Sequence, residues 1–323
     1  MHQITGKSLV GFILALITAI LWGVLPIALK VLLDALSANT ITFVRFMVAT
    51  VIVGLWLAAR GKLPSLVLFK QVKVSILMLV AIVGLLANYI LYLTGLAYLS
   101  AETGQTVIQL APFLMMIGGV YIFKERLLLW QQIGAFVLVF GLLLFFNQRL
   151  LGMLSQIGGE TFGVLLVIAA AITWAAYALA QKQLLVHFSS KQIMYILYFV
   201  GSICFLPASD FSPLQTMSLL HWSLLIFCCL NTVVAYGAFA EALHHWQASK
   251  VSAVLAITPL VTILAANLIT LFWPDFIQPE QLNLWSWLGA ILVVLGSTLT
   301  ALAPQFVEYR AARRVRKLQR DVF

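Results

Sequence analysis

GFILALITAILWGVLPIALKVLL at residues 11–33 and GVLLVIAAAITWAAYALAQKQLL at residues 163–185 are two copies of one segment. Aligned without gaps, 9 of the 23 positions match, among them Gly11/Gly163, Trp22/Trp174 and Lys30/Lys182. Apolar identities arise readily between hydrophobic stretches, but a paired tryptophan and a paired lysine do not. Each copy carries the ~20 apolar residues that cross a bilayer core as a helix. The chain therefore reads as a duplicated set of membrane helices.

The duplication extends outward from these segments. An offset of 147 pairs Tyr89 with Tyr236, Ala101 with Ala248 and Pro112 with Pro259, and an offset of 155 pairs Gly134-Ala135 with Gly289-Ala290 and Gly141 with Gly296. The offset grows where Trp273–Asn283 outgrows its counterpart near Glu125. Predicted spans cover 8–29, 39–59, 73–94, 103–123, 129–147, 162–181, 191–209, 219–243, 250–273 and 285–303. In lipid the backbone must satisfy its own hydrogen bonds, so the spans are helices. The expected fold is an all-α membrane protein of ten transmembrane helices around a central cavity. Residues 1–150 and 151–305 form its two five-helix repeats, and 306–323 form a basic tail. Five is odd, so the second repeat enters the membrane inverted. Such repeats are a carrier signature, with substrate held near the midplane between the halves.

Composition agrees. Hydrophobic residues make up 63% and charged residues 9% of the chain, against roughly 25% charged in soluble domains. The net charge of +9 does not indicate nucleic-acid binding, because no solvated domain clusters the basic residues on one face. With the N-terminus inside, 16 of the 19 basic residues fall in inner loops or the tail. The opposite side carries Asp34, Glu102, Glu160, Asp210, Asp275 and Glu280. Lys and Arg set orientation, so both termini are expected in the cytoplasm and the first span is read as a retained helix. Cys204, Cys228 and Cys229 sit in apolar runs without metal-ligand spacing, which suits packing.

The order of several motifs resembles the EamA-type, ten-helix branch of the drug/metabolite transporter superfamily. They are Trp22-Gly23 with Lys30 downstream, FVRF around Arg45, GLAYLSAETGQTVIQLAPFL at 95–114, KER at 124–126 and HHWQASKVSAVLAITPLV at 244–261. The resemblance covers nearly the whole chain and implies an inner-membrane exporter or exchanger of amino acids or related metabolites, working without ATP hydrolysis. The second repeat departs from the pattern, carrying WPDFIQPEQLN at 273–283 where the first has KER.

Polar and ionisable residues at membrane depth are costly and default to functional candidates. Arg45 lies inside span two, where the family pattern also has an arginine, and could grip a carboxylate with its planar fork. The bland alternative is snorkelling, which is also the reading for Lys30 at a helix end. Trp22, Tyr89, Tyr92, Trp174, Tyr177 and Tyr236 fall mid-span rather than at the interfacial belts. Gln105, Gln109 and Pro112 share a helical face, and Pro26 lies one turn beyond Trp22. Arg45, the six aromatics, Pro26, Gln105 and Gln109 form the candidate substrate site, opposed by ordinary bundle packing. Glu241 with His244 and His245 is the candidate proton-coupling group, since histidine titrates near neutrality; a wetted helix end is the alternative. Pro112 and Pro259 are expected to kink their helices.

Gly6-Lys7-Ser8 imitates the end of a phosphate loop, but Met1 stands where the leading glycine is required. No catalytic, metal or cofactor motif is present, so the chain is not read as an enzyme and needs no cofactor. The favoured function is a secondary carrier for small amphipathic metabolites, with amino acids, aromatic ones included, as the best-fitting class. Its partners are the solute, the lipid bilayer and protons as candidate coupling ion. Competing readings are a nucleotide-sugar or sugar-phosphate carrier and an intramembrane enzyme acting on lipids.

Overall fold

The computed structural model describes residues 8–123, 128–148, 158–245, 251, 254–274, 276–300 and 302. The described residues are helical, with no strand among them. Helices α1 (Ser8–Leu32), α2 (Ala38–Ala59), α3 (Val72–Ala97), α4 (Ala101–Val107), α5 (Leu110–Phe123) and α6 (Leu129–Phe145) build the first half. Helices α7 (Gly159–Leu184), α8 (Ser190–Phe205), α9 (Leu219–His245), α10 (Thr258–Phe272) and α11 (Leu284–Thr300) build the second. Six of them (α1–α3 and α7–α9) are long and apolar enough to cross a membrane, while α6, α10 and α11 are shorter apolar helices.

Two spans expected to be continuous are interrupted. The fourth breaks between Val107 and Leu110, and the ninth turns at Ala256 and Ile257 before α10 begins. Proline explains both. Pro112 and Pro259 cannot donate to the carbonyls four residues earlier, Ile108 and Leu255. The backbone responds with tighter i→i−3 bonds, Ala111 N to Ile108 O (2.9 Å) and Ile257 N to Val254 O (3.2 Å). Each proline then stands in the first turn of the helix that follows, where a missing N–H costs nothing. The kink thus precedes the proline rather than centring on it. The side chain of Pro112 lies outside the described residues.

Helix ends are closed locally. Ser37, Ser100 and Ser189 cap α2, α4 and α8 by accepting the N–H of Thr40, Thr103 and Gln192, the usual role of serine at that position. Lys30 lies half-buried at the end of α1. Its ammonium donates to the Leu96 and Ala97 carbonyls at 3.0 and 2.9 Å, satisfying acceptors at the end of α3 and tying it to the end of α1.

Helix packing sets the architecture. α3 lies along α7 and α1 along α9, α2 packs on α8, α5 on α7, and α1 on α10. α6 and α11 approach at Gly134, Gly141, Gly289 and Gly296, where a methyl on any of the four would meet backbone of the facing helix. Small residues make that contact close. Reciprocal amide bonds between Asn147 and Asn283 (3.0 and 3.3 Å) fasten one end of it. Buried apolar clusters fill the seams between α2, α3, α7 and α8, and between α1, α2 and α9.

Candidate substrate cavity

A cavity of about 410 Å³ opens among α1, α3, α4, α7 and α9, within the range of small-molecule sites. Of the predicted site residues, Trp22, Pro26, Arg45, Tyr89, Tyr92, Gln105, Gln109, Trp174 and Tyr236 line it. The structure therefore brings nine of the ten to one surface.

Pro26 explains part of the local shape of α1. It has no N–H for the Trp22 carbonyl, which loosens the helix beside the cavity. Neighbouring carbonyls recruit side chains from the second half: Asn231 donates to Leu21 O (2.7 Å) and Thr262 to Gly23 O (2.6 Å). The Trp22 ring meets Tyr236 edge-on with centroids 5.1 Å apart and Phe239 at 5.6 Å. This gives one aromatic wall. Tyr89 and Trp174 continue the lining beside Tyr236, and Tyr89 stacks edge-on to Phe46 at 4.6 Å.

Arg45 is the buried cation of the lining. It is 2% exposed, and its Nε donates to Thr232 Oγ1 at 3.0 Å. Thr232 in turn donates to the Cys228 carbonyl at 2.8 Å, so its hydroxyl oxygen is oriented to receive the guanidinium. The Arg45 Cζ lies 5.0 Å from the centre of the Tyr89 ring, within cation–π range. No carboxylate among the described residues pairs with it. A buried cation without a counter-ion is expensive, and the remaining guanidinium N–H groups are available to an anion in the cavity.

Amides set the polar points. The Tyr92 hydroxyl donates to Gln105 Oε1 at 3.3 Å. Gln109 donates to the Ala256 carbonyl (3.0 Å) and to Thr258 Oγ1 (3.3 Å). A side chain at one proline break thus satisfies backbone at the other.

Several residues fall elsewhere. Tyr177 does not line the cavity; its hydroxyl donates to Met194 Sδ at 3.2 Å, in the seam between α7 and α8. Gly84 of α3 admits the α7 backbone closely at Thr173 and Tyr177. Glu241 lies at the end of α9 with its side chain 53% exposed, 3.3 Å from His245 Nε2, and neither lines the cavity. The side chain of His244 is outside the described residues. Glu102, read as a loop charge, is 1% exposed.

Sequence reasoning missed Asn88, Phe113, Lys182, Phe239 and Thr258 on the lining. Asn88, a polar residue within an apolar span, carried the same signal as Arg45. It donates to the Ala170 carbonyl at 2.9 Å, joining α3 to α7.

Comparison with known proteins agrees with this geometry. The model of the EamA-like transporter family matches twice, at residues 9–147 and 161–302. The uncharacterized inner membrane transporter YhbE of Escherichia coli (strain K12) is 42% identical over 295 residues, covering 91% of each chain. An uncharacterized transporter of Haemophilus influenzae is 42% identical over 305 residues, 94% of this chain and 98% of its own. A probable amino-acid metabolite efflux pump of Escherichia coli (strain K12) is 23% identical, covering 88% and 92%. A solved crystal structure superposes with a TM-score of 0.61 at 17% identity, over 95% of this chain and all of its own, which speaks to the fold alone. With its apolar helices and inner-membrane relatives, this chain is a multi-pass membrane transporter that belongs to the EamA-like transporter family.

Proposed function

We propose that the chain is a secondary carrier exporting or exchanging small amphipathic carboxylates, with amino acids, aromatic ones included, as the main class. The observation that carries this reading is Arg45, buried, held by Thr232 and Tyr89, and without a carboxylate partner among the described residues. A substrate carboxylate would supply the missing anion through the guanidinium fork. The aromatic walls would take an apolar or aromatic side chain, and the amides of Asn88, Gln105 and Gln109 offer neutral polar points. The name of the more distant Escherichia coli relative, an amino-acid metabolite efflux pump, points the same way.

The mechanism is alternating access between two inverted five-helix repeats, at 1–150 and 151–305, with 306–323 as a tail. Three features support that arrangement. Exchange of the halves maps the α3–α7 contact onto α9–α1, and the α5–α7 contact onto α10–α1. Each half has one span broken just before an equivalent proline. The family model matches each half separately. Two similar halves can trade conformations at little net cost. Both termini are assigned to the cytoplasm from the placement of the basic residues.

The test is exchange in proteoliposomes, comparing tryptophan with tryptamine and with other amino acids, with and without a pH gradient. Saturable tryptophan exchange that tryptamine cannot replace is the expected result. Equal movement of the amine, or no saturable carboxylate exchange across an amino-acid panel, would overturn the reading.

A further inference from the structure

At the end of the bundle where α1 and α3 finish, residues 276–283 lie against α4 as a strap. Phe276 and Ile277 pack with Ile27, Ala101 and Ala266, and Thr270 Oγ1 donates to the Ile277 carbonyl at 3.1 Å. Two glutamates hold the strap from opposite sides. Glu280 of the strap accepts the hydroxyls of Ser100 and of Thr103 (3.1 Å). Its own N–H donates to Glu102 Oε1 at 3.2 Å. Glu102 is 1% exposed, and its other oxygen, Oε2, has no hydrogen-bond partner.

An ionised Glu102 would be a buried anion whose Oε1 takes the Glu280 N–H while Oε2 has no hydrogen-bond partner. Its own amide and the Ser100 hydroxyl favour the charged form, but burial, together with the Glu280 carboxylate, outweighs them and holds its carboxyl above the usual carboxylate range. Such a charge persists only when paired and fully hydrogen-bonded. The charged groups on the surrounding elements do not meet that need. Lys30, at the end of α1, donates to the Leu96 and Ala97 carbonyls. Asp34 beyond α1 and Glu160 at the start of α7 have the same sign as Glu102, and Tyr98 closing α3 is neutral. Helix α10 carries no ionisable residue.

We propose that Glu102 and Glu280 hold one proton between them while the strap is docked, and that losing it releases the strap from α4. The proton leaves a Glu102 carboxylic acid for water, the O–H bond breaks, and a carboxylate remains. The docked form binds the proton more tightly than the released form, in which Glu102 meets water as an ordinary carboxylate. Docking is therefore favoured at low pH and lost as pH rises. The consequence reaches the cavity through α4. Gln105 lies one turn beyond Glu102, lines the cavity and accepts the Tyr92 hydroxyl, so losing the strap loosens the short helix that presents Gln105 to the cavity. The device is separate from Glu241, which sits outside the cavity at the end of α9.

Hydrogen exchange of the full chain in lipid nanodiscs tests this without knowing the substrate. Strap amides of 276–283 are followed across a series of pH values, corrected for intrinsic exchange. One linked proton predicts a loss of protection approaching about tenfold per pH unit. In Glu102→Gln, whose amide stays neutral, the strap should remain protected throughout, and Glu280→Gln should also flatten the dependence. Exchange in α3 and α7 serves as the folding control for both variants. The proposal fails if the wild-type strap shows no pH dependence, or if both variants retain it. It also fails if sodium, exchanged for choline at constant pH, restores protection as protons do, because the pair would then be a metal-cation site.

Discussion

A single guanidinium organises the cavity, and its substitution separates recognition from folding. Arg45→Lys keeps the charge but loses both the Nε–H held by Thr232 and the planar fork. Binding of a carboxylate solute should weaken by about tenfold, or ~1.4 kcal/mol, while the protein still inserts and elutes as a folded species; unchanged affinity would assign Arg45 to packing. Trp22→Ala removes the ring that meets Tyr236 and Phe239. A loss of about 1–2 kcal/mol of ring contact corresponds to roughly an order of magnitude in affinity, readable as reduced substrate quenching of tryptophan fluorescence. Glu241→Gln should change exchange rates by no more than about twofold, because that carboxylate is exposed and outside the cavity; loss of proton dependence in this variant would restore it as the coupling group. Arg45 and the aromatics were legible because a charge or a tryptophan at membrane depth has few inexpensive explanations. Thr232 was not, since an ordinary threonine becomes a guanidinium partner only through contact across 187 positions. Glu102 was misread because proximity to a span end resembles exposure until the strap covers it.

Between elements, glycine spacing carried more information than hydrophobicity. Glycines stand seven apart on both α6 and α11, a small-residue spacing that suits close helix packing, and the two helices meet there. Gly296→Ala places a methyl against the Leu138 backbone, which cannot retreat without separating the helices. Overpacking of this kind costs roughly 1–3 kcal/mol, so the thermal midpoint in detergent should fall. Gly237→Ala is the matched control, since nothing lies within 4 Å of its new methyl. Alanine at that helical position should be neutral or stabilising by up to ~1 kcal/mol. Equal effects of the two substitutions would show that the α6–α11 contact does not limit stability. The proline breaks were legible in existence but displaced in position, because the disturbed group is the carbonyl four residues earlier. Hydropathy passes smoothly over such a turn, which is why two spans read as continuous.

At the scale of the whole molecule, the repeat and the charge distribution constrain one another. In the proposed arrangement an odd number of helices per repeat inverts the second half, and Lys30 and Lys182, equivalent in sequence, meet different surroundings. Lys30 closes the end of α3, whereas Lys182 reaches the rim of the cavity. Duplication therefore preserved the side chain while its surroundings changed, and sequence comparison alone could not distinguish the two tasks. The proposed orientation, with both termini in the cytoplasm, rests on the sixteen basic residues assigned to one side, because reversal would place nearly every loop cation outside. In a background where the exposed Cys204 is changed to serine, single cysteines replace Leu66, Gln156 or Arg316. An impermeant thiol reagent added to intact cells should modify only the cysteine at 156, and all three should react once the membrane is opened. Labelling at 66 and 316 in intact cells would reverse the orientation. Labelling at 66 without 316 would break the ten-span count itself, since an even number of crossings must return the chain to the side on which it began.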